Sequence, residues 1–208
     1  MSQWLCSDPV FLKRLSIMAL GCFIMGIGVT AFKLSLTGND PCSGFAMALA
    51  DVIALPFSVT LIGLNTVFFI FEYLFDRRKV GIGTFFNWFG VGIFTDLWYY
   101  LARSADLVPQ TFTLQLVFMM TGVIVLSFSC ALYQTANMGI APYDALSLIM
   151  TERLHIPYFW CRITTDAACA LLAFLLGGIV GLGTLFCAFG MGPFVSYFTK
   201  NVIKKYLL

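Results

Sequence analysis

The 208-residue chain is 60% hydrophobic and 16% aromatic, only 11% of its residues are charged, and its formal net charge at pH 7 is +2. Soluble domains carry roughly 25% charged residues, so this composition excludes a water-soluble globular protein and indicates an integral membrane protein. The basic residues form no stripe of the kind that nucleic acid requires. We therefore expect the lipid bilayer, and no nucleic acid, as a partner.

The first part of the chain predicts three spanning helices and one shorter helix. Apolar runs cover about 15–35, 56–75 and 82–101, each near the 20 residues that a membrane span needs. The segment at about 42–55 is too short to span comfortably, and polar residues lie at its start. Lys13 and Arg14 precede the first run without a cleavage site at a suitable distance, which indicates a retained span rather than a signal peptide.

The second part predicts the same elements in the same order. Apolar runs cover about 112–133, 157–176 and 182–199, with a short segment at about 143–156. The stretch VGIGTFFNWFGVGIF at 80–94 is also repeated as VGLGTLFCAFGMGPF one hundred residues later, and upstream the offset becomes 101. This ordered likeness predicts a duplication with two membrane repeats, 1–105 and 106–208.

Charge placement selects among topologies. If each repeat has three spans and one segment that enters and leaves on the same face, Arg77, Arg78 and Lys79 fall in the cytoplasm. Eight full spans would move them outside, against the positive-inside rule. The sequence therefore predicts an all-α polytopic membrane protein with six transmembrane helices, two short re-entrant or broken helices, and cytoplasmic termini. Because three spans is an odd number, the two repeats would have inverted topology.

The short segments start like helices. Asp40 suits an N-cap, and proline suits the first helical turn that follows it. We predict that each short helix begins deep in the membrane and climbs to the surface, so that two helix N-termini face a shared centre. The alternative is a pair of amphipathic linkers lying flat at the interface. The candidate binding residues in these first turns are Pro41, Cys42, Ser43, Pro142, Tyr143 and Asp144.

Polar residues also occur in the middle of two predicted spans. Asn65 and Asp166 lie at equivalent positions, 101 residues apart. An ionised aspartate at that depth costs on the order of 2.5–3.5 kcal/mol by insertion scales. Arg162 precedes Asp166 by four residues and shares its helix face. We interpret Asp166 as a proton or cation site and Arg162 as the holder of an anionic group; the alternative is an ion pair that only neutralises itself.

Little in the sequence indicates a metal centre or an enzyme. The seven cysteines include no CxxC pair, and His155 is the single histidine. Most of the cysteines lie in apolar runs, where reduced cysteine acts as a small hydrophobic residue. We expect no metal site, no cofactor, no catalytic residue and no enzymatic activity.

Two of these motifs resemble the YitT/YczE family of bacterial membrane proteins. The stretch from Gly139 to Asp144, GIAPYD, is similar to the family's G-x-x-P-W/Y-D, and the paired GxGT segments add to the likeness. The resemblance covers nearly the whole chain. It implies a multi-pass protein of the bacterial cytoplasmic (inner) membrane, with transport as a possible function and no indicated substrate. The first repeat departs from the motif, with Cys42 and Ser43 in place of the aromatic residue and the aspartate, so a symmetric role for this pair is not implied.

The leading functional hypothesis is a secondary transporter with a midplane site between the repeats. Its partner would be a small polar solute, with an anionic solute as one candidate, and six spans are also compatible with a homodimer. The alternatives are a channel or facilitator, or a regulatory membrane protein without transport activity.

Overall fold

The structure is a computed structural model that describes residues 9–203 and residue 205. Its described secondary structure is entirely helical, which confirms the predicted fold class of a polytopic helical membrane protein. The predicted cytoplasmic placement of the two chain ends falls on residues outside this range. The α-helices are α1 (Pro9–Ser35), α2 (Pro41–Ile53), α3 (Phe57–Phe75), α4 (Ile82–Ser104), α5 (Phe112–Thr135), α6 (Pro142–Leu154), α7 (Tyr158–Leu175) and α8 (Leu182–Phe198).

Five of the described helices are long and apolar enough to cross a membrane, one fewer than the six predicted spans. They are Val10–Ser35, Phe57–Phe75, Phe112–Thr135, Tyr158–Leu175 and the continuous helical segment Leu182–Ile203.

The sixth predicted span, α4, has sufficient length at 23 residues but a less apolar composition. Asn87, Thr95 and Asp96 account for part of the difference. Asn87 and Thr95 are buried in the protein, at 7% and 0% exposure, while large apolar side chains such as Phe89 and Ile93 face outward. The polar side of α4 is therefore turned away from the surface that lipid would cover.

The short helices α2 and α6 have the same length, 13 residues, and start 101 residues apart. Each begins with proline and ends in a left-handed residue, Ala54 at φ 54° and His155 at φ 56°. Asp40 caps α2 by accepting the Ser43 N–H at 3.0 Å. The first turns of both helices are buried and their last residues are exposed, so each helix begins inside the bundle and ends at its surface.

The long helices α1 and α5 pack against each other in opposite directions. A Cβ added to Gly21 would lie 3.0 Å from Tyr133, and one added to Gly28 would lie 2.9 Å from Leu126. Higher numbers on α1 therefore meet lower numbers on α5. In the predicted duplication α1 and α5 are equivalent, so this pair of equivalent helices is antiparallel.

The directions of the other helices follow from similar contacts. Gly26 of α1 meets Phe94 of α4, and farther back along both helices Met18 meets Gly83, so α1 and α4 are parallel. Trp88 of α4 donates to the carbonyl of Ile62 on α3 at 2.9 Å. An earlier residue of α3 contacts a later residue of α4, and a later residue of α3 contacts an earlier one, so α3 is antiparallel to α4. Hence α1 and α3 are antiparallel, and the connection that contains α2 leaves and returns at one end of the bundle.

The repeated GxGT segments bind the loop that precedes the short helix of the other half. Gly83 donates its N–H to the carbonyl of Met138 at 2.7 Å, and Gly183 donates its N–H to the carbonyl of Thr37 at 3.0 Å. The two bonds are equivalent under the duplication. The repeated motif thus joins the two halves to each other rather than stabilising each half alone.

Two glycines make these loop contacts possible. Gly38 and Gly139 both have φ +118°, a conformation that side chains other than glycine rarely adopt. A Cβ on Gly139 would also lie 2.7 Å from the Gly81 nitrogen, and a Cβ on Gly38 would lie 2.7 Å from the Thr184 hydroxyl. Glycine is therefore required at both positions by conformation and by space.

Each short helix also packs against a long helix of the other half. The helix α2 packs mainly on α7, and α6 packs on both α7 and α3. Between α3 and α6, the rings of Phe68 and Tyr143 lie 5.6 Å apart. This packing brings the buried starts of α2 and α6 toward the same central region, next to α7.

Candidate functional site

A cavity of about 1570 Å³ runs into the bundle from one end. At its mouth lie charged residues that are exposed or partly exposed, and at its inner end lie two buried aspartates and a partly buried arginine. We call the end of the bundle at this mouth the Lys79 end, because Lys79 lies there on the turn between α3 and α4. We call the opposite end of the bundle the Ser58 end, because α3 starts there near Ser58. The charged lining residues are Arg14, Asp76, Arg78, Lys79, Asp144, Glu152, Arg162 and Asp166.

Ion pairs cross the mouth of the cavity. Lys79 lies 2.9 Å from an Asp76 carboxylate oxygen and 2.6 Å from a Glu152 carboxylate oxygen. The hydrogen bond from Lys79 lowers the pKa of the Asp76 carboxyl below its ordinary value. Lys79 thereby links the α3–α4 turn to the C-terminal end of α6 at the rim.

Arg162 is the centre of the charged cluster at the inner end. Its Nη1 donates to Asp144 on α6, and its Nε lies 3.2 Å from Asp166, one turn farther along α7. The guanidinium also lies over the ring of Tyr143, 4.7 Å from its centroid. The structure thus brings together four of the residues that the sequence proposed, three of them charged.

Each aspartate of the cluster also accepts a tyrosine hydroxyl. Tyr143 donates to Asp166 at 2.5 Å, and Tyr133 of α5 donates to Asp144. Both aspartates are buried, at 8% exposure for Asp144 and 3% for Asp166. With both carboxylates ionised, one guanidinium faces two negative charges, so the cluster carries a net charge of about −1.

A second, smaller cavity of about 70 Å³ lies between the first turns of the two short helices. Its lining includes Asp40, Cys42 and Ser43 from the start of α2 and Tyr143 from the start of α6. Asp144 and Arg162 line both this cavity and the large one. The two helix N-termini therefore meet at one central space, next to the charged cluster.

The remaining sequence-proposed residues are distributed around these two cavities. Asn65 lines the small cavity, whereas Asp166 and Pro41 line the large one. Pro142 is buried in the first turn of α6 and lines neither of the two cavities. Asn65 and Asp166, although equivalent in the duplication, therefore lie on different cavities.

Sequence reasoning missed two residues of the cluster. Tyr133 lies at the end of an apolar run, where a tyrosine is commonly an interfacial side chain. Gln134, which follows it, donates to Asp144 at 3.4 Å. Both residues lie at the end of α5, shortly before Asp144 in the sequence. That closeness in sequence hinted at a contact, but only the fold shows that the end of α5 meets the start of α6.

The two ends of the bundle are packed differently. At the Ser58 end, the Ser58 N–H donates to an Asp96 carboxylate oxygen at 3.0 Å, which joins α3 to α4. The equivalent helices α7 and α8 lie apart at the Lys79 end, where Gly192 and Ser196 line the large cavity. Nothing lies within 4 Å of a Cβ added to Gly192. The α3–α4 pair is therefore joined at the Ser58 end, whereas the α7–α8 pair leaves space for the large cavity at the Lys79 end.

The described residues offer no obvious metal centre. Within residues 9–203 and at 205, no three His, Cys, Asp or Glu side chains are grouped so as to hold a metal ion. The six cysteines in this part of the chain are all buried and free of disulfides.

Comparison with known proteins gives relatives but no activity. The profile of a family of unknown function, DUF6198, matches residues 12–200. An uncharacterized protein of Haemophilus influenzae is 29% identical over 196 residues, covering 93% of this chain and 86% of the relative. The uncharacterized membrane protein YczE of Bacillus subtilis is 24% identical over 181 residues, covering 84% and 82%. No solved structure matches the chain significantly.

Proposed function

This chain belongs to the DUF6198 family, with YczE of Bacillus subtilis among its relatives, and we propose that it is a secondary transporter of a small polar solute in the bacterial cytoplasmic membrane. The observation that carries the proposal is the large cavity, which leads from a charged mouth to the buried cluster around Arg162. Buried ionisable residues in a membrane bundle are costly and typically line solute or ion pathways.

The architecture supports a transporter over a scaffold. Many secondary transporters contain inverted repeats with a binding site between them, formed by helices that start within the membrane. Here the equivalent helices α1 and α5 are antiparallel, and the starts of α2 and α6 line one cavity. These are the features that such a transport site requires.

The different packing of the two ends supports alternating access. In a transporter with inverted repeats, the two halves exchange conformations when the site changes from facing one side of the membrane to facing the other. We propose that α7 closes on α8 while α3 leaves α4, which breaks the Asp96–Ser58 bond and opens the Ser58 end. The positive-inside rule assigns the Lys79 end, with Arg77 and Arg78 next to it, to the cytoplasm in this proposal.

The charge of the cluster favours a solute that bears a cationic group. Arg162 is already paired with both aspartates, so an anionic solute would have to displace one carboxylate from it. A cationic group would instead complement the net negative charge of the cluster. We therefore propose a cationic or zwitterionic solute, with an anionic solute as the alternative that the test must separate.

A thermal-shift screen of the purified protein tests the proposal. The panel contains small amines, amino acids, organic acids and inorganic anions. A ligand at about a hundred times its dissociation constant should stabilise the folded state by roughly 2.7 kcal/mol. We expect a stabilising amine or amino acid whose effect is lost in D166N. The matched control R103Q removes an exposed arginine near Tyr99, outside the site, and should keep the effect.

Proteoliposomes then separate a transporter from a channel. A transporter should accumulate the labelled hit above its external concentration when a pH gradient is imposed, whereas a channel only equilibrates it. Stabilisation by anions alone, lost in R162Q, would reverse the proposed sign of the solute. No hit in the panel, with D166N and R162Q as stable as the parent, would overturn the transport site.

A further inference from the structure

We propose that Glu72 on α3 is a reversible proton-binding site of this protein, which makes the proton the coupling ion of the transport proposed above. The inference rests on that proposed function for its role in coupling, but the proton binding itself can be tested without any solute. Sequence reasoning assigned no role to Glu72 and placed the titrating group at Asp166 instead.

Glu72 is fully buried within the protein, with 0% of its surface exposed. Neither of its carboxylate oxygens accepts a hydrogen bond from any residue that the structure describes. An ionised carboxylate without a partner in a buried position has lost its hydration without compensation, so the neutral, protonated form is strongly favoured.

Asp166 is placed very differently. Its carboxylate accepts a hydroxyl from Tyr143 and pairs with Arg162, both of which stabilise the ionised form. Asp144 is held by Arg162 and Tyr133 in the same way. Both aspartates therefore have donors on their carboxylate oxygens, whereas the carboxyl of Glu72 has none.

The position of Glu72 connects it to both the mouth and the cluster. On α3 it lies one turn after Phe68, which packs on Tyr143, and one turn before the C-cap residue Asp76. Near their C-terminal ends α3 and α6 remain in contact, where Arg153 donates to the carbonyl of Phe75 at 3.0 Å. Glu72 therefore lies between the aqueous mouth of the large cavity and the start of α6.

The charged groups that act on Glu72 come from two elements. Asp76 and Lys79 follow α3, and Asp144 belongs to α6. The single cation among them, Lys79, is already paired with Asp76 and Glu152. Loss of the proton from Glu72 would thus add a negative charge near Asp144, while the cation that acts on Glu72 is already engaged by two carboxylates.

This arrangement gives coupling a physical basis. When Glu72 releases its proton to the water of the cavity, the carboxylate that remains adds negative charge near the cluster and strengthens the attraction of the cluster for a cationic group. When Glu72 takes up a proton, that added attraction disappears. Asp76, one turn farther along the chain, lines the cavity, so the water-accessible space lies within one helical turn of Glu72.

Infrared spectroscopy of the purified protein tests the proton site directly. A protonated carboxylic acid has a C=O stretching band that a carboxylate lacks. We expect such a band at neutral pH in the parent protein, its loss at alkaline pH, and a shift of its frequency in D₂O. The band should be absent in E72Q, whose neutral side chain has nearly the same shape as the protonated acid, and present in E72D.

The matched control is D51N, which removes an exposed carboxyl at the end of α2 and should leave the band unchanged. A band that persists in E72Q, or a parent protein without any such band from mildly acidic to alkaline pH, would overturn the assignment. So would a band that does not shift in D₂O, because that proton would not exchange with the cavity. None of these results affects the solute screen, so failure of this inference is distinguishable from failure of the transport proposal.

Discussion

Gly92 of α4 lies directly against Ser58 of α3: a Cβ on the glycine would come within 2.9 Å of the Ser58 Cα. The equivalent Gly192 of α8 has open space instead. We expect G92A to destabilise the folded protein by roughly 1–3 kcal/mol, as overpacking does, and G192A to leave stability unchanged. Thermal unfolding in detergent measures both.

The same pair separates stability from transport. If α7 closes on α8 in the opposite state, the methyl group of G192A will obstruct that closure and slow transport in proteoliposomes without lowering the melting temperature. Equal melting temperatures for G92A and G192A would show that the two ends are packed alike and would contradict the difference between them.

Gly139 should tolerate alanine poorly because two costs coincide there. Its φ is +118°, and a Cβ would lie 2.7 Å from the Gly81 nitrogen. Gly177 is the matched control, since its φ is +80° but nothing lies within 4 Å of an added Cβ. We expect G177A to cost about 1 kcal/mol and G139A clearly more. Thermal unfolding of the two variants compares them, and equal losses would mean that the contact with Gly81 contributes nothing.

Removing Arg162 should be more harmful than removing either of its partners. R162Q leaves two buried carboxylates without their cation, a change that costs on the order of 3 kcal/mol for a buried pair. D166N leaves Arg162 paired with Asp144 and should cost less. The double variant R162Q/D166N should recover part of the stability lost in R162Q. A larger loss in D166N than in R162Q, measured by thermal unfolding, would contradict this account of the cluster.

Leu55 and Ile156 test the inverted topology. They follow the exposed ends of α2 and α6, are equivalent in the duplication, and are 47% and 41% exposed. In a protein without native cysteines, L55C and I156C should react with a membrane-impermeant thiol reagent from opposite faces of the membrane. Cysteines at Lys79 and Ala105, on either side of α4, should likewise react from opposite faces. Labelling of L55C and I156C from one face would exclude the inverted arrangement.

Local patterns in the sequence predicted the helices well. The prolines at 41 and 142 begin α2 and α6, and the apolar runs give the long helices to within a few residues for most ends. The pairing of Arg162 with Asp166 followed from their spacing of four residues on one helix. These features depend on residues close together in the chain, so a sequence alone contains them.

The features that were missed depend on contacts between distant segments. Tyr133 is an ordinary aromatic residue until the fold places it against Asp144. Glu72 is near the end of an apolar run, where a carboxylate can reach the aqueous interface, and only the packing of α3 shows that it is buried. Nor does the sequence show that each GxGT segment binds the loop of the other half.

That last exchange has a consequence for how the molecule can be assembled. Each half supplies the carbonyl acceptor, the open glycine loop and the packing surface that the other half lacks, through the bonds from Gly83 to Met138 and from Gly183 to Thr37. A single half would have these donors and acceptors without their hydrogen-bond partners. If the predicted duplication holds, a single half would have needed a second, antiparallel copy of itself to supply these contacts.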